Sequence, residues 1–212
     1  MTLWDELAQV EPGAWGRQQN DAWDRATDFI YTTLTYAEVL ERCEEAARQL
    51  RAPLEEVQRY ALHRWYSYHT HEAVLALILD HPRARAHPDR RHPTVDFYLR
   101  DREGREVGFD LKLTRFPRDY PRSFSYALRH PVHLMAWLYR NQSREGRYHR
   151  ANRIFVVFHD RRDPRGAWLL RRDRARIAPA VKRFLDQPRI YRVPIGGEAE
   201  SRPLAGIIWV VA

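Results

Sequence analysis

Two neighbouring segments of alternating apolar and polar residues constrain the fold of this chain most strongly. TVDFYLR spans residues 94 to 100 and REVGFDLKLTRF spans residues 105 to 116, with only DREG between them. A period of two is typical of β-strands, and a short polar connection that contains glycine is typical of a hairpin. The sequence therefore predicts an antiparallel hairpin over residues 94 to 116.

The turn of this hairpin predicts its register. If Gly104 takes the left-handed position after a type I turn, the numbers of opposed residues add up to 206. Phe97 then faces Phe109 on an apolar side of the ribbon, and Asp96 faces Asp110 on a polar side. A slip of one residue would oppose charged residues to apolar ones, so the pattern favours this register.

Helical and strand patterns surround the hairpin. Apolar spacing, caps and prolines predict helices over residues 36–50, 53–79, 131–140 and 171–186. Further strands are expected over residues 153–160, near Tyr191 and over residues 206–212. A helix between two strands indicates a right-handed parallel connection. This alternation predicts an α/β fold.

Charge is distributed unevenly along the chain. Residues 1 to 80 hold 7 arginines and 14 acids, whereas residues 81 to 212 hold 29 basic residues and 14 acids. A net charge of +15 in the second stretch indicates a polyanionic partner such as nucleic acid, and an arginine-rich solvated surface is the alternative. Lys112 and Lys182 are the only lysines, which marks both positions for a compact ammonium group.

Several classes of protein are excluded by composition. The single Cys43 rules out an intramolecular disulfide and a cysteine-rich metal site, so oxygen or imidazole must hold any metal. The sequence contains no apolar run near the roughly 18 residues of a membrane span and no signal-peptide pattern. We therefore expect a cytoplasmic protein without a membrane partner.

The two opposed aspartates suggest a cation site. Carboxylates that face each other repel, and this repulsion is tolerated in water or where a cation neutralises the charge. Mg²⁺ takes carboxylate oxygens while it keeps several waters. Lys112 lies on the same side of the ribbon as Asp110, two residues further on. The alternative is a solvated hairpin face with an ordinary Asp–Lys surface pair.

This combination resembles the PD-(D/E)xK nuclease superfamily. Thr94-Val95-Asp96 stands where the family has Pro-Asp, and Asp110-Leu111-Lys112 matches its D-x-K element, although no proline directly precedes Asp96. The resemblance implies a restriction-endonuclease-like fold, which is a three-layer α/β/α core with a mixed central sheet. We expect this core over residues 60–212 and an N-terminal helical region over residues 1–59.

The resemblance also implies roles for individual residues. Asp96 and Asp110 would bind Mg²⁺, or Mn²⁺ in its place, with the backbone carbonyl of Leu111 as a further ligand. Lys112 would orient the attacking water or stabilise the transition state. Glu72, on the upstream helix, would be a metal ligand or a base.

Other residues are candidates for contact with the substrate. Tyr68, His69 and His71 lie just before Glu72, although ordinary aromatic packing and a place on the helix surface are the favoured interpretation of all three. The candidates for phosphate contacts are arginines of the basic half: Arg144, Arg147, Arg150, Arg161, Arg162, Arg171 and Arg172.

The expected function is therefore metal-dependent hydrolysis of phosphodiester bonds in DNA. The resemblance fits an endonuclease of a restriction, repair or mobile-element system, acting alone, as a homodimer or with a partner protein. Two alternatives stay open. One is a non-catalytic nucleic-acid-binding or assembly protein with the same fold, and the other is a nuclease directed at RNA.

Overall fold

The computed structural model describes residues 2–11, 21–90, 92–101, 103–141, 151–163, 166–195 and 202–212. They form two compact units, Met1–Val74 with Arg172–Arg174 and Leu75–Arg171 with Ala175–Ala212. The expected boundary between residues 59 and 60 falls inside a continuous helix, Leu54–Leu79.

Within the described ranges, no helix combines the length and apolar character that a membrane span requires.

The first unit is helical. Its elements are α1 (Leu3–Ala8), α2 (Asp21–Ala26), a 3₁₀ helix (Asp28–Tyr31), α3 (Tyr36–Leu50) and most of α4 (Leu54–Leu79). The predicted cap of α3 is confirmed, because the Thr35 hydroxyl accepts a hydrogen bond from the Glu38 amide.

Buried polar contacts join α4 to the segment that precedes α3. Trp65 and His69 lie four residues apart and therefore share one face of the helix. The Trp65 indole donates to the carbonyl oxygen of Thr33 over 2.8 Å, and His69 Nε2 lies 2.9 Å from the carbonyl oxygen of Ile30. Both side chains are buried, so His69 belongs to the core of this unit.

The second unit contains a mixed six-stranded sheet, which confirms the predicted α/β class. Its strands are β1 (Ala84–Ala86), β2 (Phe97–Arg100), β3 (Glu106–Arg115), β4 (Arg153–His159), β5 (Tyr191–Arg192) and β6 (Leu204–Val211). They lie in the order β1-β2-β3-β4-β6-β5. Strands β1, β2 and β3 form an antiparallel meander, β3, β4 and β6 are parallel, and β5 is an antiparallel edge.

The predicted hairpin register is confirmed along the length of β2. Phe97 pairs with Phe109 and Leu99 pairs with Val107, and all but the half-buried Val107 are in the core. Gly104 has a φ of 81°, the left-handed conformation that the turn was expected to require. Strand β2 begins at Phe97, however, and not at residue 94.

Helices cover both faces of this sheet. The remaining helices are α5 (Phe124–Arg129), α6 (Pro131–Asn141) and α7 (Arg174–Asp186), with a 3₁₀ helix at Gly166–Arg172. Leu134 of α6 shares a buried cluster with Phe155 and Ile207. Gly206 points to the opposite face, where a Cβ atom would meet the ring of Phe184 of α7 at 2.8 Å.

We predict that protonation of His69 destabilises the fold. Burial lowers the pKa of His69 below its ordinary value of 6.5, so the unfolded chain binds this proton first. The contribution of neutral His69 to the free energy of unfolding is fully present above about pH 6.5 and is lost as the pH falls through the folded-state pKa. Urea unfolding of wild type between about pH 7.5 and 5 should show this loss. In His69→Gln the free energy of unfolding should fall less steeply with decreasing pH.

His130→Gln is the matched control, because His130 is exposed. Its pH slope should equal that of wild type. An unchanged slope in His69→Gln would contradict the prediction.

Candidate functional site

Asp110 forms ion pairs with two basic side chains. Its Oδ1 lies 2.8 Å from Lys112 Nζ, and its Oδ2 accepts a hydrogen bond from Arg153 Nε over 3.1 Å. Lys112 shares a face of β3 with Asp110 because it is two residues further on, and Arg153 is the register partner of Asp110 on β4. Strand geometry thus brings a carboxylate and two cations together.

The two cations differ in burial. The Arg153 side chain is 8% exposed and its guanidinium lies 4.9 Å from the ring centre of Tyr139, whereas the Lys112 side chain is 45% exposed. Tyr139 is itself fixed, because its hydroxyl donates to the carbonyl oxygen of Ala151 over 2.8 Å. Burial raises the pKa of Tyr139, so the hydroxyl stays protonated. Arg153 is therefore a fixed partner of Asp110, whereas the half-exposed Lys112 side chain is free to change its position.

Asp96 lies one residue before the first paired residue of β2. Its amide donates to the carbonyl oxygen of Phe109 over 2.8 Å, and its Oδ2 accepts the amide hydrogen of Leu111 over 2.6 Å. In a continued hairpin the Leu111 amide would bond to the backbone of Val95. An ionised carboxylate is the stronger acceptor, so the Asp96 side chain takes this position and the β2 ladder ends.

Asp96 is therefore joined to the strand of Asp110 through one backbone amide, and the two aspartates are not paired directly across the strands. The Asp96 carboxylate bonds to the amide of Leu111, which directly follows Asp110. In an extended strand the amide and carbonyl of one residue point to the same side, so the Leu111 carbonyl also points to the β2 side of β3. Together with the carboxylates of Asp96 and Asp110, this carbonyl is an oxygen donor of the candidate site.

This donor set fits a hard divalent cation in part. All three groups supply oxygen, the ligand type that Mg²⁺ prefers. Among the described residues, no group of three or more His, Cys, Asp or Glu side chains is arranged to hold a metal. Water or substrate would therefore complete the coordination, and Lys112 would have to leave Asp110 Oδ1.

Glu72 is not among the residues that the second unit brings together. It lies on α4 in the first unit, where its carboxylate is 3.4 Å from His71 Nδ1. Tyr68 packs edge to face against Tyr31, with ring centres 4.9 Å apart. These contacts favour the packing interpretation for Tyr68, as burial does for His69.

The arginine candidates have different surroundings. Arg172 Nη1 donates to three carbonyl oxygens around the end of α1, the shortest bond being 2.6 Å to Val10, and Arg171 donates to the carbonyl oxygen of Leu113. These bonds are structural. Arg161 and Arg162 are exposed just beyond β4. The candidates in the loop after α6 lie outside the described residues: Arg144, Arg147 and Arg150.

Arg153 is the residue of the candidate site that the sequence analysis missed. The sequence did carry a signal, since Arg153 opens the strand RIFVVFH and is followed directly by apolar residues. A buried arginine requires a carboxylate partner, but nothing local identifies that partner as Asp110.

Comparison of the chain with models of protein families, with curated proteins and with solved structures finds no match. Inference about the site therefore depends on its residues and their geometry.

We predict that Arg153→Met lowers the free energy of unfolding by about 3 kcal/mol, because it leaves the buried Asp110 carboxylate with one partner. Lys112→Met removes the other partner of the same carboxylate and should cost less than about 1 kcal/mol, since Lys112 is half exposed. Urea denaturation at neutral pH measures both changes. Equal losses in the two variants would contradict the assignment of Arg153 as the fixed partner.

Proposed function

We propose that the second unit hydrolyses phosphodiester bonds of DNA with the help of Mg²⁺. One observation carries the proposal. The Asp96 carboxylate accepts the amide hydrogen of Leu111, the residue that follows Asp110, and the ammonium group of Lys112 lies 2.8 Å from Asp110 Oδ1. Acids that hold a hard cation beside a compact ammonium are the elements that such hydrolysis needs.

The order of elements supports the same proposal. Helix α4 is followed by the antiparallel meander β1-β2-β3, by the crossover helix α6 and by β4, which is parallel to β3. This is the order that the resemblance to PD-(D/E)xK nucleases implies for a restriction-endonuclease-like core. Asp96 directly precedes the second strand of the meander and the D-x-K residues lie on the third, which agrees with the pattern that the resemblance implies.

Each residue has a chemical task in this proposal. When bound, Mg²⁺ would supply activation of water and neutralisation of charge on the phosphate. Asp96 and Asp110 hold the ion, with the Leu111 carbonyl beside them. Arg153 keeps Asp110 Oδ2 in place. Lys112, once it leaves Oδ1, donates its hydrogen bonds to the attacking water or to the phosphate oxygens.

Charge supports a nucleic-acid substrate. Residues 81 to 212 have a net charge of +15, and Arg161 and Arg162 are exposed in this stretch. Exposed arginines bind the phosphates of nucleic acid whatever its nucleotide sequence. The resemblance favours DNA over RNA, and an RNA substrate in the assay tests the RNA-directed alternative.

A second candidate function is binding of nucleic acid without cleavage. It is favoured by the neutralisation of Asp110, which already has both Lys112 and Arg153 as partners. A carboxylate paired in this way does not need a cation for its stability. The two candidates differ in whether the wild-type protein cleaves the nucleic acid that it binds.

We predict that Lys112→Ala lowers the single-turnover rate of DNA cleavage by about 10² or more, the scale of losing one preorganised electrostatic group. Lys112→Arg should also be impaired, because the guanidinium is planar, bulkier and effectively never deprotonated. The assay uses circular DNA, linear DNA and RNA with Mg²⁺ or Mn²⁺, and thermal melting checks the fold. Lys182→Ala is the control, since Lys182 forms an exposed pair with Asp186 at the same 2.8 Å distance.

Near-wild-type cleavage by Lys112→Ala would remove the central residue of the proposal. Binding of nucleic acid without cleavage by the wild type on any of these substrates would favour the second candidate.

We also predict that Asp110→Asn weakens Mn²⁺ binding about tenfold or more in calorimetric titration, because the amide cannot supply an anionic ligand. Asp186→Asn is the matched control, since Asp186 also pairs with a lysine at 2.8 Å. Equal affinities of Asp110→Asn and wild type would refute the metal site.

A further inference from the structure

A cavity lies beside the β5–β6 end of the sheet in the second unit. It has a volume of about 410 Å³, within the range of small-molecule sites. Its walls come from α5, the first residue of α6, α7, β5, β6 and the loop after α7. None of the residues of the Asp96, Asp110 and Lys112 site lines it.

The cavity is positively charged. Arg129, Arg183 and Arg189 line it, and no acidic residue does. The acid closest to Arg183 along α7 is Asp186, whose carboxylate is 2.8 Å from Lys182 Nζ and is therefore engaged elsewhere. None of the three arginines forms an ion pair with a carboxylate of the described residues. Three such guanidinium groups suit an anion, and their planar donor sets match phosphate in particular.

The other walls of the cavity are aromatic and aliphatic. Tyr191 and Trp209 are half-buried, and Phe184 and Ile207 are buried. A flat ring fits such walls, because aromatic side chains offer large apolar faces for stacking. The chemistry of the lining thus combines an anion site with a site for a flat ring.

The cavity also borders an unpaired strand edge. Strand β5 pairs only with Leu204 and Ala205 of β6. From Gly206 onward, no described strand lies on this side of β6, although β4 pairs with the other side as far as Val211. An unpaired edge presents backbone N–H and C=O groups, which are suitable partners for the polar edge of a nucleobase.

We propose that this cavity binds a mononucleotide. The phosphate lies among the three arginines, the base stacks against Tyr191 or Trp209, and the edge of β6 beyond Gly206 bonds to the base. This site is independent of the proposed nuclease activity, because it shares no residue with it.

Calorimetric titration of the full chain with AMP at low salt tests the proposal, with adenosine and inorganic phosphate titrated separately. AMP should bind more tightly than either part, because both halves of the cavity contribute. Arg183→Ala should weaken AMP binding about tenfold or more, through loss of one guanidinium–phosphate contact. Arg174→Ala is the matched control, because Arg174 is exposed on the same helix and does not line the cavity.

Arg189→Ala gives a second measurement if Arg183→Ala alters the fold. Asp110→Asn should leave AMP binding unchanged, which separates this cavity from the proposed metal site. The proposal is overturned if AMP does not bind at about 1 mM, or if Arg174→Ala weakens binding as much as Arg183→Ala does. Inorganic phosphate bound as tightly as AMP would indicate a general anion site only, and adenosine bound as tightly as AMP would exclude the arginines from the interaction.

Discussion

The buried ion pair between Asp110 and Arg153 is the interaction on which the candidate site depends. It joins β3 to β4, and thus the antiparallel meander to the parallel part of the sheet. Burial of two charges is costly unless their geometry and remaining hydrogen bonds compensate. Here the Tyr139 ring beside the guanidinium and Lys112 beside the carboxylate supply that compensation. The pair fixes one oxygen of Asp110 and leaves the other to an exposed partner.

Asn152 holds the same end of the sheet together. Its side-chain amide donates to the carbonyl oxygen of Gly108 over 3.1 Å, its side-chain oxygen accepts the amide hydrogen of Leu204, and its backbone carbonyl accepts the amide hydrogen of Asp110. One residue thus links β3 and β6 beside β4. A site built on such a rigid framework keeps its carboxylates in place while Lys112 remains adaptable.

Arginine has two roles in this chain. Arg153, Arg171 and Arg172 are engaged inside the structure, with a carboxylate or with backbone carbonyls. Arg129 and Arg183 are exposed and line a cavity without acids. High net charge alone does not distinguish these roles, because the same guanidinium serves as a structural donor or as an anion ligand according to what surrounds it.

The sequence by itself determined the local features of this protein. Alternation and the turn glycine at Gly104 determined the Phe97–Phe109 register, and Thr35 determined the start of α3, because these features depend on neighbouring residues. Only the tertiary structure decided that Arg153 pairs with Asp110, 43 residues away, and that the Asp96 carboxylate replaces a backbone acceptor. The first outcome depends on which strands become neighbours in the sheet. The second depends on which acceptor binds the Leu111 amide most strongly, and no local sequence pattern encodes either.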